Sequence, residues 1–533
     1  MAFDNSYTGC DHCWMTDTPW TGDACSLVEA FRSGERTPQE ELESTLAAIE
    51  DSDLNCFSHV DAEAARDAAK SADITKAFGG VPMGIKELEK VKGWPDTEAS
   101  LLFKDRIATT TSAVVDNAIS NGGAVPVGLT TASEFGGLNV SVTKLNGVAH
   151  NPWKQGRTVG GSSGGSASAV SGGLLSLAGG GDGGGSIRIP AGYTGMLGFK
   201  GTFGRISRYP GAYSRPGTVV LGNISRSVRD AARYYDVCAG VDPRDPTSLP
   251  SKGTWEADLG SHDLKGMKVA VIPSIGGVEL DNGVEANLRS SADALIAATG
   301  MVEVQASLEL PNLAAQWAMG NLSTLITELG DMWPSRGDEL TQEVAFGLRM
   351  AETFYNLRVA GVAETRRLEA YQAMAAAFDQ ADFIICSTNP GPAFDANKTT
   401  SNPNESFLDS LGTSKVARGA SRGLMGTLRM GNSAFPKMSN AILDFATERI
   451  PDITRMGGLT IPANLYGNPS VSIPAGTIDG LPVGMQVMST HHTDSLLFDV
   501  ALAAEREMPW PLVAPPISAK AAAAGISRTP EPA

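Results

Sequence analysis

Apolar residues recur at three- and four-residue intervals over residues 26–52, with a break at Ser33-Gly34, and this period predicts two helices. The second opens on Thr37-Pro38-Gln39-Glu40: an N-cap residue, proline at the first helical position and acid in the first turn. Residues 61–73 predict a third, alanine-rich helix. Gly79-Gly80-Val81-Pro82-Met83-Gly84 then breaks the helical period and delivers the chain to Ile85-Lys86-Glu87. Residues 112–120 are amphipathic, Asn121-Gly122-Gly123 stops them, and the apolar run 124–129 suits a buried strand. The alternation returns as a strand at 267–273, a helix at 283–299 and a strand at 302–305. Long helical stretches at 312–329 and 361–378 precede an apolar strand at 383–386. Residues 464–487 read as strand and turn punctuated by Pro469, Pro474 and Pro482, and 495–507 as a closing helix. The predicted fold class is α/β, a sheet covered by helices on both faces.

No repeat and no linker-like segment divides this pattern. One large domain is expected over residues 26–514, after an irregular extension (1–25) and before an Ala- and Pro-rich tail (515–533) expected to be disordered. The chain of 533 residues is long enough to bury a large core, and 42% hydrophobic with 19% charged residues is ordinary for a soluble protein. The 42 basic residues are outnumbered by 59 acidic ones, for a net charge of −17. Such a balance provides no electrostatic footprint for nucleic acid or an anionic membrane. The N-terminal residues lack a basic, then apolar, signal pattern, and no run reaches the roughly 18 apolar residues of a membrane span. A cytoplasmic protein is expected, without nucleic-acid or membrane partners. Cys10-Asp11-His12-Cys13 has metal-ligand spacing and Cys25 follows, but a single C-x-x-C lacks the second pair of a structural zinc site. No metal and no cofactor is expected.

Glycine is the unusual entry: 60 residues, with twelve of the twenty-six positions from 160 to 185. Three chemistries compete for this segment. Gly179, Gly181 and Gly184 fit G-x-G-x-x-G, but that fingerprint should open a helix, whereas Pro190 closely follows. Gly160-Gly161-Ser162-Ser163-Gly164 fits the G-x-S-x-G nucleophile elbow. None of the downstream histidines (His262, His491 and His492) sits in a context suited to a base. The third chemistry takes Ser162 and Ser186, each flanked by glycine, together with Lys86. A neutral lysine can act as base for a serine nucleophile, and glycines beside it let backbone N–H groups converge on an oxyanion. This reading accounts together for the glycines, both serines and the absence of a useful histidine.

Four ordered motifs then resemble the amidase signature hydrolases over roughly residues 26–510. They are Gly80-Val81-Pro82-Met83-Gly84-Ile85-Lys86-Glu87; Asn151-Pro152-Trp153 leading into Gly160-Gly161-Ser162-Ser163-Gly164-Gly165-Ser166; Asp182-Gly183-Gly184-Gly185-Ser186-Ile187-Arg188-Ile189-Pro190-Ala191; and, near the C-terminus, Asn464, Gly467, Pro469, Pro474, Gly476 and Gly480-Leu481-Pro482-Val483-Gly484-Met485-Gln486. The resemblance implies a large mixed central sheet flanked by helices on both faces. It also implies Ser186 as nucleophile, Ser162 with a cis peptide bond relaying the proton, and Lys86 as base. Gly183, Gly184, Gly185 and Ser186 would supply the oxyanion-hole N–H groups, and Ser163, Asp182 and Arg188 would hold the core by hydrogen bonds.

Departures from the family pattern are Glu87 in place of Asp, Leu129-Thr130-Thr131 in place of Lys-Thr-Asn, and Ile189 in place of the Gln usual in tRNA-dependent amidotransferase subunits. The last, with the absence of basic surface, favours a free-standing amidase. The S-x-x-K match at Ser141 and Lys144 lacks its companion motifs. Met319, Met332, Trp333, Phe354, Tyr355 and Met425 are candidates for an apolar pocket, though such residues at helical spacing are more often core. A hydrophobic or aryl small-molecule amide is the favoured substrate. The alternatives are a glutamine-hydrolysing amidotransferase subunit, or an esterase or carbamate hydrolase using the same triad. A homodimer is left open.

Overall fold

The computed structural model describes residues 18–211, 217–354, 357–398 and 455–515. Among them, eleven strands form one mixed sheet in the order β1 (Phe57–Val60), β3 (Val125–Thr130), β2 (Pro82–Lys86), β6 (Leu177–Asp182), β8 (Val220–Ser225), β7 (Leu197–Lys200), β12 (Ser470–Ile478), β13 (Leu481–Ser489), β11 (Phe383–Ser387), β9 (Lys268–Val271) and β10 (Val302–Glu303). β4 (Val142–Thr143) and β5 (Gly147–Val148) make a separate small hairpin. β2 runs parallel to both β3 and β6, whereas β12 pairs antiparallel with β7 and β13.

Successive residues of the inner strands serve opposite faces, as the pleat requires. On β11, Phe383 and Ile385 join the main core beneath the helices Ala24–Ser33, Val228–Cys238, Val284–Thr299 and Asp494–Glu507. Ile384 and Cys386 point the other way, toward the helices Leu357–Phe378 and Gly457–Tyr466. A satellite cluster of Leu102, Phe103, Phe135, Leu325, Leu329, Trp333, Leu340, Val344 and Leu348 joins the helices Ala314–Leu329 and Gln342–Phe354 to the body of the molecule.

Most expected elements form near their expected bounds, and Thr37 completes a capping box with Glu40. Two readings need correction. The glycine-rich Leu177–Asp182 segment, not read as a strand, is β6, where neighbours pack closely: a Cβ on Gly180 would lie 3.1 Å from Ile187. Asn464, read within a strand-and-turn region, lies in the helix Gly457–Tyr466, which tolerates Pro462 in its interior. Of the pocket candidates, Trp333 is buried in the satellite core, and Met332 packs on that core. The side chains of Met319 and Phe354, with Tyr355, Met425 and the Cys10–Cys13 pair, lie outside the described residues.

Candidate active site

Lys86 ends β2, and its parallel neighbour β6 ends at Asp182, so the sheet delivers the lysine beside the segment that carries Ser186. Lys86 is 2% exposed; its Nζ donates to Ser162 Oγ over 2.7 Å and to the Gly181 carbonyl over 3.1 Å. The Gly161–Ser162 peptide is cis. Gly161 must be glycine for a steric reason, because a Cβ there would stand 2.7 Å from the Val140 nitrogen. Ser163 ties the two serine segments together: its N–H donates to the Ser186 carbonyl (3.2 Å), and its hydroxyl accepts the Gly181 N–H (3.2 Å).

The loop from Asp182 to Arg188 is shaped by one buried ion pair. The Asp182 carboxylate accepts the N–H groups of Gly185 (2.7 Å), Ile187 (3.2 Å) and Arg188 (3.3 Å), and also Arg188 Nε and Nη2 (both 3.0 Å). Burial would push this carboxyl up, but the Arg188 guanidinium and its hydrogen bonds hold it well below the ordinary carboxylate range. Arg188 in turn donates to Asn464 Oδ1 and Gln486 Oε1. Both sides of the pair are fully buried.

This bracing bears on the expected oxyanion hole. Of the four N–H groups expected to form it, that of Gly185 is already donated to Asp182. No acceptor among the described residues takes the N–H of Gly183, Gly184 or Ser186. Ser186 is 5% exposed, and Ser162 is 2% exposed.

The departures from the family pattern are absorbed structurally. Thr130 Oγ1 and Ser166 Oγ share a 2.7 Å hydrogen bond, and the Thr131 carbonyl accepts Gly165 N–H. Ile189 is fully buried, with its side chain lodged between Gly160 and Gly185. Glu87 accepts the Ala132 N–H (2.6 Å) and Asn146 Nδ2, and burial pushes its carboxyl up to about 7. Sequence reading assigned no role to Trp317 or Thr460, whose side chains donate to the carbonyls of Gly183 and Gly184 over 2.7 and 2.6 Å. For Thr460 a signal existed: it stands one helical turn before Asn464, which donates to the Asp182 carbonyl (2.8 Å).

The amidase family model matches residues 40–417. The chain belongs to the amidase family. Its enzymes act on carbon–nitrogen amide bonds, and so does this chain. A glutamyl-tRNA(Gln) amidotransferase subunit of Salinispora arenicola (strain CNS-205) is 30% identical over 520 residues, spanning 90% of this chain and 96% of that one. A bacterial aryl acylamidase of the amidase signature enzymes is 25% identical, with a TM-score of 0.77 over 92% of this chain and 97% of that chain. A 6-aminohexanoate cyclic dimer hydrolase complexed with substrate shares the fold, with a TM-score of 0.75 and 24% identity over 92% of this chain and 97% of that one. The curated relatives thus fall on the alternative of an amidotransferase subunit, and the first structural neighbour on the acylamidase reading. Among the described residues no helix is long and apolar enough to cross a membrane.

Proposed function

We propose that this amidase hydrolyses its amide through an acyl-enzyme on Ser186. The observation that carries the reading is the buried Lys86–Ser162 contact beside a loop whose Gly183, Gly184 and Ser186 N–H groups are unclaimed among the described residues. Ser186 Oγ attacks the carbonyl carbon as its proton passes to Ser162 and the Ser162 proton passes to a neutral Lys86. The three N–H groups receive the oxyanion. Lys86 returns the proton through Ser162 to the leaving nitrogen, and the C–N bond breaks. Water then attacks the acyl-Ser186 ester by the same route and releases the carboxylate. The Ser186 hydroxyl has no hydrogen-bond partner among the described residues, so substrate entry completes the relay, as is common for catalytic contacts that tighten only in the complex.

Two substrate readings have specific support. Likeness to amidotransferase subunits over 90% of the chain favours glutamine, hydrolysed in company with partner chains. Trp317 and Val219 against the Gly183–Gly184 segment, and Ile189 behind it, favour a hydrophobic or aryl amide taken by a free-standing enzyme, as does likeness to the aryl acylamidase. Esters and carbamates are open to the same acyl-enzyme route. The test is a turnover screen of the purified chain, with and without co-purifying partners, against glutamine, short aliphatic amides, anilides, esters and carbamates. Anilide turnover by the isolated chain supports the second reading, and glutaminase activity that requires partners supports the first. Fluorophosphonate should label Ser186, and Ser186→Ala should abolish both labelling and turnover. Full activity of Ser186→Ala would overturn the mechanism. Lys86→Ala should retain the fold and lose on the order of 10²- to 10⁴-fold in rate.

A further inference from the structure

The five carbonyls from Asp182 to Ser186 are each held by a different donor. Asn464 Nδ2 holds that of Asp182, Trp317 Nε1 that of Gly183 and Thr460 Oγ1 that of Gly184. The Ile189 N–H holds the Gly185 carbonyl, and the Ser163 N–H holds that of Ser186. In a planar trans peptide the C=O and the following N–H point in opposite directions, so whatever grips a carbonyl also aims the next N–H. The rule is visible within the loop. Thr460 grips the Gly184 carbonyl, and the Gly185 N–H is delivered to Asp182.

Applied one peptide earlier, it gives Trp317 a function. The indole grips the Gly183 carbonyl at 2.7 Å, and the Gly184 N–H therefore points to the opposite side of the loop, where no described residue accepts it. The ring also lies against Gly184, 3.0 Å from where a Cβ would be. Trp317 is itself partly buried against Leu313, Ala370, Ile461 and Leu465, between its own helix Ala314–Leu329 and the helices Leu357–Phe378 and Gly457–Tyr466. Of the five grips, it is the only one supplied by the helix Ala314–Leu329, which lies outside the four sequence motifs.

We propose that Trp317 is a positioning residue that fixes the Gly183–Gly184 peptide so that the Gly184 N–H serves the oxyanion, coupling the helix Ala314–Leu329 to the rate of acyl transfer. The proposal rests on Ser186 being the nucleophile. Trp317→Phe keeps an aromatic ring over Gly184 and removes only the N–H donor; Trp317→Leu removes both. The rate of fluorophosphonate labelling at Ser186 is measured together with kcat and KM for p-nitrophenyl acetate, and thermal melting checks the fold. Trp317→Phe should melt within a few degrees of the wild type, label on the order of tenfold more slowly or worse, and lose kcat while KM holds. Trp317→Leu should be no faster. Equal labelling rates in the wild type and Trp317→Phe, or a rise in KM with kcat unchanged, would show a packing or pocket-lining residue and overturn the proposal. A wild-type protein that fails to label at Ser186 instead overturns the nucleophile assignment, and this proposal with it.

Discussion

Gly185 carries two constraints at once. Its φ of +123° lies where side chains are disfavoured, and a Cβ there would stand 2.3 Å from Thr460 Oγ1, so alanine must push away the hydroxyl that grips the Gly184 carbonyl. Gly185→Ala is expected to cost about 1–3 kcal/mol in backbone strain and to slow labelling of Ser186 at least tenfold. A wild-type labelling rate would mean that the loop tolerates displacement. Glu87, next to Lys86, makes a different prediction. Burial raises its carboxyl from 4.5 to about 7, so between these values the folded state holds a proton that the unfolded state has released. Stability from this group is full below about pH 4.5, falls as pH rises toward 7 and is flat above. Asp230 and Glu505 are also pushed up to about 7 and add slopes of the same sign. The difference between wild type and Glu87→Gln isolates Glu87, and it should shrink or reverse in favour of glutamine from pH 5 to pH 8 in urea unfolding. An unchanged difference would count against a buried, protonated Glu87. Residue identities in the motifs were legible from the chain alone. The loss of the Gly185 N–H to Asp182 was not, because it depends on how the loop folds over its own carboxylate.

At the scale of elements, the Asp182–Arg188 pair fastens the end of β6 to the helix Gly457–Tyr466 through Asn464 and to β13 through Gln486. Arg188→Met leaves Asp182 buried without its countercharge and is expected to cost about 3–5 kcal/mol in unfolding free energy. A loss under 1 kcal/mol by denaturant titration would contradict the bracing role. Elements were legible where a local signal existed, as with the Thr37 capping box and the apolar runs of β3, β9 and β11. They were illegible where the signal was tertiary. Leu-Ala-Gly-Gly-Gly-Asp has little strand propensity, yet it is β6 because β2 and β8 pair with it on either side, and Ile187 and Leu221 pack closely against Gly180 and Gly181. The helix Gly457–Tyr466 hides in the same way, since Pro462 argues locally against it and burial of Leu459, Ile461 and Leu465 overrides that preference.

The whole molecule is organised so that late segments sit in the middle of the sheet. β12 and β13 lie between β7 and β11 and link the half bearing Lys86 and Ser186 to the half bearing β9 and β10. A chain ending at residue 454 would lose both strands together with Thr460, Asn464 and Gln486. It should therefore show no cooperative thermal transition by circular dichroism and no labelling at Ser186. A cooperative transition or retained labelling would show that the first half folds and organises the loop by itself.

The sequence by itself determined the α/β class and singled out Lys86, Ser162 and Ser186 as the side chains proposed to react, because hydrophobic period and motif spacing are local properties that survive in one dimension. Tertiary structure decided which of the glycine N–H groups meet no acceptor among the described residues. That choice is made by carbonyl grips from Asn464, Trp317 and Thr460, each more than 130 residues away along the chain. No local pattern records a contact of that span, since it arises only when the sheet and its covering helices have closed around the loop.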